Sequence, residues 1–252
     1  MTRRRFFAPP GAFSTNLDSV TLGSHEARHL REVLRLKAGD EVHVFNGAGK
    51  EFQCRIEESR RDSARLRVIA EVAPARPESP LQLTLAVALL KGEKFDLVVQ
   101  KATELGVTRI VPVMTKLADI RLRDESDAVK RLARWQRIAL EAAKQCGRAA
   151  VPEIALPVSF QNMVREIAPA GSHRLMFSER DGKSLREAIP LSSNLTQLTA
   201  LVGSEGGWTD EEIAASQEAG WQLVTLGGRT LRAETAAIAA VVLLQHLAGD
   251  LL

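Results

Sequence analysis

Two glycine-rich stretches in the last third of the chain decide its fold: Leu201-Val-Gly-Ser-Glu-Gly-Gly207 and Leu226-Gly-Gly-Arg-Thr-Leu-Arg-Ala-Glu-Thr-Ala236. Each joins an apolar, strand-like run to a helix-like run, and glycine allows backbone N–H and C=O groups to approach a ligand closely. Neither stretch fits G-x-G-x-x-G, and G-x-x-x-x-G-K-[ST] occurs nowhere in the chain, so the common phosphate-binding turns are excluded. The two turns therefore predict a pocket for another kind of ligand.

The sequence around these turns alternates strands with helices, which indicates an α/β domain with a parallel sheet. The predicted strands are Leu81–Leu90, Arg109–Met114, His173–Phe177, Leu198–Val202 and Gln222–Leu226. Four helices are predicted between and after these strands. Two are Glu93–Leu105, followed by Gly106 as its end, and 127–148. The third begins with a capping box at Thr209–Glu212, and the last is Thr235–Leu247.

The first seventy residues have a different pattern, with short alternating strands that predict a small antiparallel barrel. One helix, Ser24–Arg35, interrupts the strands; we expect Ser24 to cap it and Ala27, Leu30, Val33 and Leu34 to form its buried stripe. Three prolines in Pro74–Pro80 then mark a boundary between domains of residues 1–72 and 73–252.

The composition is that of an ordinary globular protein, with 252 residues, 45% hydrophobic and 26% charged. No apolar run is long enough to span a membrane, and the start lacks the apolar core of a secretory signal, so we expect a cytoplasmic protein. Cys54 and Cys146 are far apart and have no histidine pair nearby, so we expect neither a disulfide nor a metal site.

The net charge of +3 comes entirely from the first domain, where 13 Lys and Arg face 10 Asp and Glu; the remaining residues hold 21 of each. Arg3, Arg4 and Arg5 precede Phe6 and Phe7, a combination that can pair with phosphates and stack on bases. The alternative is a basic terminus whose phenylalanines pack into the first strand. Helix 127–148 also carries a basic stripe, opposite its apolar one, which is either an RNA-binding surface or solvated: Lys130, Arg134, Arg137, Lys144 and Arg148.

The last helix is apolar on nearly every face, from Ala236 to Leu244. Such a helix must be buried on all sides, which favours a partner subunit, although a helix enclosed within one subunit would satisfy the same pattern.

These features together resemble the SPOUT methyltransferases, and among them the RsmE family, which methylates N3 of a uridine in 16S ribosomal RNA. Several motifs carry the resemblance in order along the chain: His29–Arg35 with Gly39-Asp40, Glu93–Asp96, Lys101–Gly106, Arg134-Trp135, Glu141–Gln145 with Arg148, and Leu231–Ala236. One departure is Ser204, which stands where the family usually has proline in G-P-E-G-G; a proline would stiffen the turn.

The resemblance implies a PUA-like RNA-binding β-barrel, a SPOUT domain with a C-terminal trefoil knot, a homodimer, and a small-ribosomal-subunit substrate. It also places S-adenosylmethionine on three loops at the carboxyl ends of the strands, with Leu226 and Leu231 covering the adenine. The implied contacts are Phe177, Ser178, Glu179, Gly203, Ser204, Glu205, Gly206, Gly207, Leu226, Gly227, Leu231, Arg232, Ala233, Thr235 and Ala236.

For catalysis, the resemblance and residue chemistry favour Arg232, whose fixed charge suits the negative charge that develops on uracil. Glu205 or Glu234 would accept the N3 proton, although Glu205 is equally suited to bracing its loop, and for Glu234 a structural role at the start of the last helix is favoured. The implied RNA contacts are Arg3, Arg4, Arg5, Phe6, His29, Arg31, Arg35, Arg134 and Arg148. His29 could instead pack beside Trp135.

Two other functions fit less well. One is a SPOUT methyltransferase acting on another RNA position, such as a ribose 2′-hydroxyl. The other is a noncatalytic RNA-binding protein or ribosome assembly factor, against which the intact glycine turn and Leu231–Ala236 argue.

Overall fold

The computed structural model describes residues 3–167, 172–189 and 195–251. The chain groups into two compact units. The first contains the residues up to Glu78 together with Leu140–Val151, and the second contains Ser79–Ala139 and the residues from Pro152 onward. The domain limits 1–72 and 73–252 stay a prediction.

A curled sheet forms the first unit, and among the described residues it has five strands in the order β1-β3-β4-β5-β2. The strands are β1 (Arg5–Phe7), β2 (Ser19–Leu22), β3 (Glu41–Phe45), β4 (Glu51–Ser59) and β5 (Ala64–Val72). Two register irregularities between β4 and β5 bend the sheet, because an extra residue in one strand increases local twist. The expected antiparallel pairing holds except that β1 pairs with β3 in parallel.

The helix between β2 and β3 is shorter and less regular than predicted. Helix α1 spans Ser24–Arg28, Gly23 is its N-cap, and the predicted cap by the Ser24 side chain is wrong. The chain then widens into a π-helical turn, His29–Val33. A wider turn rotates the following side chains away from the core, so Val33 and Leu34, predicted to be buried, are exposed.

The second unit is built on a parallel sheet, which has eight strands in the part of the chain described, in the order β11-β13-β10-β12-β6-β7-β8, with β9 beside β7. The strands are β6 (Gln82–Ala88), β7 (Arg109–Met114), β8 (Glu153–Ile154), β9 (Val158–Ser159), β10 (His173–Phe177), β11 (Lys183–Ser184), β12 (Gln197–Val202) and β13 (Gln222–Thr225). All five strands predicted from apolar runs are therefore confirmed; the two-residue strands were missed.

Helices connect the strands of this sheet. They are α2 (Lys94–Glu104), α3 (Glu125–Cys146), α4 (Phe160–Asn162), α5 (Leu185–Ala188), α6 (Asp210–Glu218) and α7 (Ala233–Ala248). Thr209 and Glu212 form the predicted capping box of α6, which satisfies two backbone N–H groups at the helix start.

Helix α7 packs on α2 and on strands β6 and β12. Its one buried polar side chain among the described residues, Gln245, donates to the Leu105 carbonyl at 2.9 Å and accepts from the Ser79 hydroxyl at 2.7 Å. These bonds fix the end of the helix. Val242 and Leu243 are 38% exposed in the single chain, so the helix is not enclosed on all sides. No described helix combines the length and apolar character of a membrane span.

Candidate active site

Three loops meet at one edge of the parallel sheet because the strands before them are neighbours. Strand β10 lies between β12 and β13, and Phe177 at its end pairs with Val202 and with Val224. The carboxyl ends of parallel strands share an edge, where open sheets commonly hold ligands. The loops that follow Phe177, Val202 and Thr225 therefore converge.

Together they enclose a pocket that is open to solvent on one side. Eleven residues with predicted cofactor contacts line it, namely Phe177, Ser178, Glu179, Gly203, Ser204, Gly207, Leu226, Gly227, Leu231, Ala233 and Ala236. The structure thus brings together three segments that are distant in sequence.

Trp208 lines the pocket and connects two of its loops. Its buried indole Nε1 donates a 2.8 Å hydrogen bond to the Phe177 carbonyl, which ties the first loop to the glycine turn. Arg180 donates to the Trp208 carbonyl at 2.9 Å and pairs with Asp210 at 3.2 Å. These contacts hold two loops at a fixed separation.

Each glycine of the turn is required for a different physical reason. A Cβ at Gly203 would lie 3.0 Å from the Trp208 ring, and a Cβ at Gly206 would lie 2.9 Å from the Leu117 carbonyl oxygen. Gly207 has φ +69°, a left-handed conformation that side chains disfavour. Its N–H donates to the Ser204 carbonyl at 3.0 Å, so the turn is tight even without proline at position 204.

Four predicted residues, Glu205, Gly206, Arg232 and Thr235, do not line this pocket. Glu205 instead accepts a 2.6 Å hydrogen bond from Lys94 at the start of α2. Arg232 is exposed and occupies the N-cap position of α7.

The third candidate for catalysis, Glu234, lies in the first turn of α7, 3.9 Å from the same Lys94 ammonium. The structure therefore brings Glu205 and Glu234 to one lysine, which lies in the Glu93–Asp96 motif but was not predicted as a site residue.

Several lining residues were also missed: Arg180, Val202, Trp208, Thr225, Arg229 and Thr230. Most of them directly adjoin predicted positions, so extending each motif by one or two residues would have found them. The indole bond of Trp208 joins residues 31 apart in sequence, and no sequence signal indicated it.

Within the first unit, two of the arginines predicted to bind RNA belong to an internal ion-pair network. The fully buried Glu51 carboxylate accepts from Arg3 at 3.0 Å, from Arg5 at 3.1 and 3.2 Å, and from the Ala75 N–H at 3.0 Å. Burial acts to raise the pKa of Glu51, but the Ala75 and arginine hydrogen bonds outweigh it and hold that pKa below its usual value.

Arg5 also donates to backbone carbonyls at the end of α3 and beyond it, at Ala143, Lys144 and Arg148. Its side chain is only 7% exposed. The adjacent Phe6 is fully buried in the sheet core and packs beside His29, with 5.8 Å between ring centres. This part of the terminus matches the alternative of phenylalanines packed into the first strand.

The other residues with predicted RNA contacts differ in exposure. Arg4 and Arg35 are exposed, and Arg31 donates to the Arg60 carbonyl. Arg134 pairs with Asp96. Arg148 is buried against Glu78, with 2.8 Å between Nε and Oε2.

The prediction of a continuous basic stripe along α3 is therefore wrong. Lys130 and Arg137 are exposed, but Lys144 forms a 2.6 Å bond to the buried Glu26. With Arg148 also buried, the stripe is interrupted where α3 ends.

Among the described residues no group of three or more His, Cys, Asp or Glu side chains could hold a metal ion. Cys54 is buried, and burial raises its pKa to about 12, so its thiol packs as a small apolar group.

Two family models match the chain. Residues 77–245 match a model described as an RNA methyltransferase domain, and residues 22–69 match an RNA methyltransferase PUA domain.

Individual proteins match over most of the chain as well. A ribosomal RNA small subunit methyltransferase E of Synechocystis sp. is 35% identical over 91% of this chain and 73% of its own. The crystal structure of a ribosomal RNA small subunit methyltransferase E from Neisseria gonorrhoeae, bound to S-adenosyl methionine, is 34% identical with a TM-score of 0.86 over 100% of both chains. A methyltransferase from Legionella pneumophila in complex with the cofactor is 33% identical, with a TM-score of 0.86 over 99% of this chain and 100% of that one.

Proposed function

Because the chain belongs to the ribosomal RNA small subunit methyltransferase E family, we propose that it transfers the methyl group of S-adenosylmethionine to N3 of a uridine in 16S ribosomal RNA. The observation that carries the proposal is the pocket at the joined ends of β10, β12 and β13. A cytoplasmic location remains a prediction.

The pocket fits S-adenosylmethionine in its chemistry. Leu226, Leu231 and Ala236 supply apolar surface for the adenine and ribose. The glycine turns supply backbone groups at close range, and a Cβ at Gly203 would press on the Trp208 ring, which also lines the pocket. Glu179, which is exposed at the pocket wall, offers a carboxylate to the amino end of the cofactor.

The bound cofactor would supply a methyl group already activated by its sulfonium, so the chain need not provide a metal or a covalent nucleophile. Its own residues must hold the uracil N3 in line with that methyl group and help N3 lose a proton. Neither step uses a cysteine. This division of labour suits a pocket whose lining is mostly neutral.

Arg232 is the residue we assign to the developing negative charge on the uracil oxygens. It is exposed at the start of α7, and its neighbours Leu231 and Ala233 line the pocket. A guanidinium there can reach a substrate that enters from solvent, and it keeps its charge at every physiological pH. Removing one such preorganised charge typically slows turnover by about a hundredfold or more.

The exposed arginines of the first unit are the best-supported candidates for RNA contacts. Arg4, Arg31 and Arg35 retain exposed or partly exposed side chains, and Arg31 and Arg35 fall within the span that matches the PUA domain. Phosphate contacts from such residues position RNA without specifying its sequence. Arg3 and Arg5 contribute indirectly, because their bonds to Glu51 hold the segment on either side of Arg4, just before β1.

The homodimer and the trefoil knot are also part of this proposal. The exposed Val242 and Leu243 would be covered by a second copy of the chain, since exposed apolar side chains on a helix favour association. Leu243→Glu should then give a monomer in light scattering, whereas the exposed Gln136→Glu change on α3 should not.

The decisive experiment is nucleoside mass spectrometry of small-subunit RNA from cells with and without the gene. We expect 3-methyluridine to disappear when the gene is removed. A loss of a 2′-O-methylated nucleoside instead would support the alternative RNA position. Calorimetry with S-adenosylmethionine addresses the noncatalytic alternative, which requires no micromolar binding.

A further inference from the structure

Lys94, the first residue of α2, lies between two carboxylates that come from different segments of the second unit. Its ammonium is 2.6 Å from Glu205 in the glycine turn and 3.9 Å from Glu234 in the first turn of α7. The three side chains are 33%, 31% and 14% exposed. Both glutamates were predicted from the sequence as candidates to accept the uracil N3 proton, and the proposed function leaves open which one does.

The two carboxylates have different hydrogen-bonding environments. Glu205 is bonded to Lys94; burial acts to raise the pKa of Glu205, but the Lys94 contacts and a backbone hydrogen bond together outweigh burial and lower it. Such a carboxylate is a weak proton acceptor. The Glu205 bond in turn raises the pKa of Lys94, so the lysine stays charged.

Glu234 is held differently. Its Oε2 atom is shielded from solvent and has no hydrogen-bond partner among the described residues. A separation of 3.9 Å from Lys94 allows charge attraction but is too long for a hydrogen bond. A shielded carboxylate oxygen without a partner carries a free-energy cost, and such a cost is often retained where a group has a functional task.

We propose that Lys94 is a positioning residue that occupies Glu205 and holds Glu234 as the acceptor of the uracil N3 proton. This inference rests on the proposed function. In the step, the N3 proton moves to Glu234 and its electron pair forms the bond from N3 to the methyl carbon. The bond from that carbon to sulfur breaks, and its electrons stay on sulfur. Glu205 braces the glycine turn and takes no proton.

Other charged groups near Lys94 are consistent with this assignment. The Glu205 hydrogen bond is the main cause of the raised pKa of Lys94, and the like charge of Arg232 acts to lower that pKa. Asp119, which is paired with Lys91 at 2.7 Å, adds negative potential beside Glu205. Lys94 places a positive charge between the glycine turn and the first turn of α7.

The test is a double-mutant cycle in single-turnover methylation of small-subunit particles, with cofactor affinity measured separately by calorimetry. Glu234→Gln should slow transfer by about a hundredfold or more, the lower end of the range for general base catalysis. Lys94→Met, which misplaces that base, should slow it by about tenfold or more. The double variant should be no slower than Glu234→Gln alone, because the two residues act as a unit. Glu205→Gln should slow transfer less than Glu234→Gln does, because Glu205 takes no proton.

Three controls separate positioning from structure. Lys94→Arg restores the charge and should recover most of the rate, and every variant should bind S-adenosylmethionine within about threefold of the wild type. Lys101→Met, a change at a similarly exposed lysine of α2 that pairs with Glu104, should have no effect.

Several results would overturn the proposal: equal losses in Glu205→Gln and Lys94→Met with a normal Glu234→Gln enzyme, additive losses in the double variant, or lost cofactor binding in Lys94→Met. The product is identified first with the wild type. A methyl group on another RNA atom refutes uracil N3 as the target, and with it the proton step assigned to Glu234.

Discussion

Replacing Arg5 with methionine is expected to destabilise the first unit rather than to weaken a direct RNA contact. Methionine keeps an unbranched apolar chain beside the Phe45 ring, over which the guanidinium lies at 4.6 Å. It removes the charge that pairs with the fully buried Glu51 and the donors to three backbone carbonyls. The variant therefore tests the structural role of one side chain that the sequence placed in an RNA-binding cluster.

The expected loss of folding free energy depends on the partners that Glu51 keeps. Breaking a buried ion pair by removing one side costs about 3–5 kcal/mol. Glu51 keeps its bonds to Arg3 and to the Ala75 N–H, so we expect a loss near the lower limit, about 3 kcal/mol. The exposed neighbour provides the control, since Arg4→Met should change stability by no more than about 0.5 kcal/mol.

The assay can resolve the two units because all three tryptophans, Trp135, Trp208 and Trp221, belong to the second one. Hydrogen exchange of the β4 amides reports the first unit, and tryptophan fluorescence in urea reports the second. We expect faster exchange in β4 for Arg5→Met.

The loss of stability caused by Arg5→Met should depend on pH. The lowered pKa of Glu51 means that the ion pair stabilises the fold above the usual carboxyl value of 4.5 and that this contribution disappears as the pH falls through the lowered pKa. The difference between wild type and variant should therefore shrink in acid. Unchanged exchange combined with weaker RNA binding and a smaller salt dependence would refute this reasoning and return Arg5 to the RNA surface.

Three further predictions concern the second unit and the cysteines. Gly203→Val should abolish S-adenosylmethionine binding in calorimetry because its side chain would meet a buried indole, while Gly228→Ala, in open space, should bind normally; normal binding by both would place the site elsewhere. Arg232→Ala should lower turnover by about a hundredfold with cofactor affinity changed only a few-fold, and equal losses in both would make it a pocket residue. At pH 8 a thiol reagent should modify Cys146 and spare Cys54 in the folded protein, because burial raises the pKa of Cys54 to about 12. Rapid modification of Cys54 in a Cys146→Ser variant would contradict this.

The strands of the second unit could be predicted because each is a run of apolar residues bounded by turns, and burial on both faces of a parallel sheet requires that pattern. The convergence of Phe177, Gly203 and Leu226 at one pocket also followed, since parallel strands end at the same edge. Strand order was not predictable from these runs.

Interactions between charged residues were the least predictable part of the site. Lys94 and Glu205 are 111 residues apart, and Arg5 donates to a carbonyl 143 residues away. Sequence patterns describe one element at a time, so they assign charged side chains to solvent by default. The π-helical turn at His29–Val33 was missed for a related reason, because a regular 3.6-residue period is assumed throughout a helix.

The discontinuous first unit has a consequence for synthesis of the chain. Its strands are complete at Val72, yet the carbonyls that receive Arg5 belong to residues 143–148, which the ribosome adds only after β6, α2 and β7. Domains usually fold in order from the amino terminus as they emerge. The amino-terminal sheet therefore lacks these acceptors for the Arg5 guanidinium until Ser79–Ala139, more than a third of the other unit, has been made. The first unit of a nascent chain stalled before residue 140 should therefore be more sensitive to protease than that of a chain stalled after residue 151.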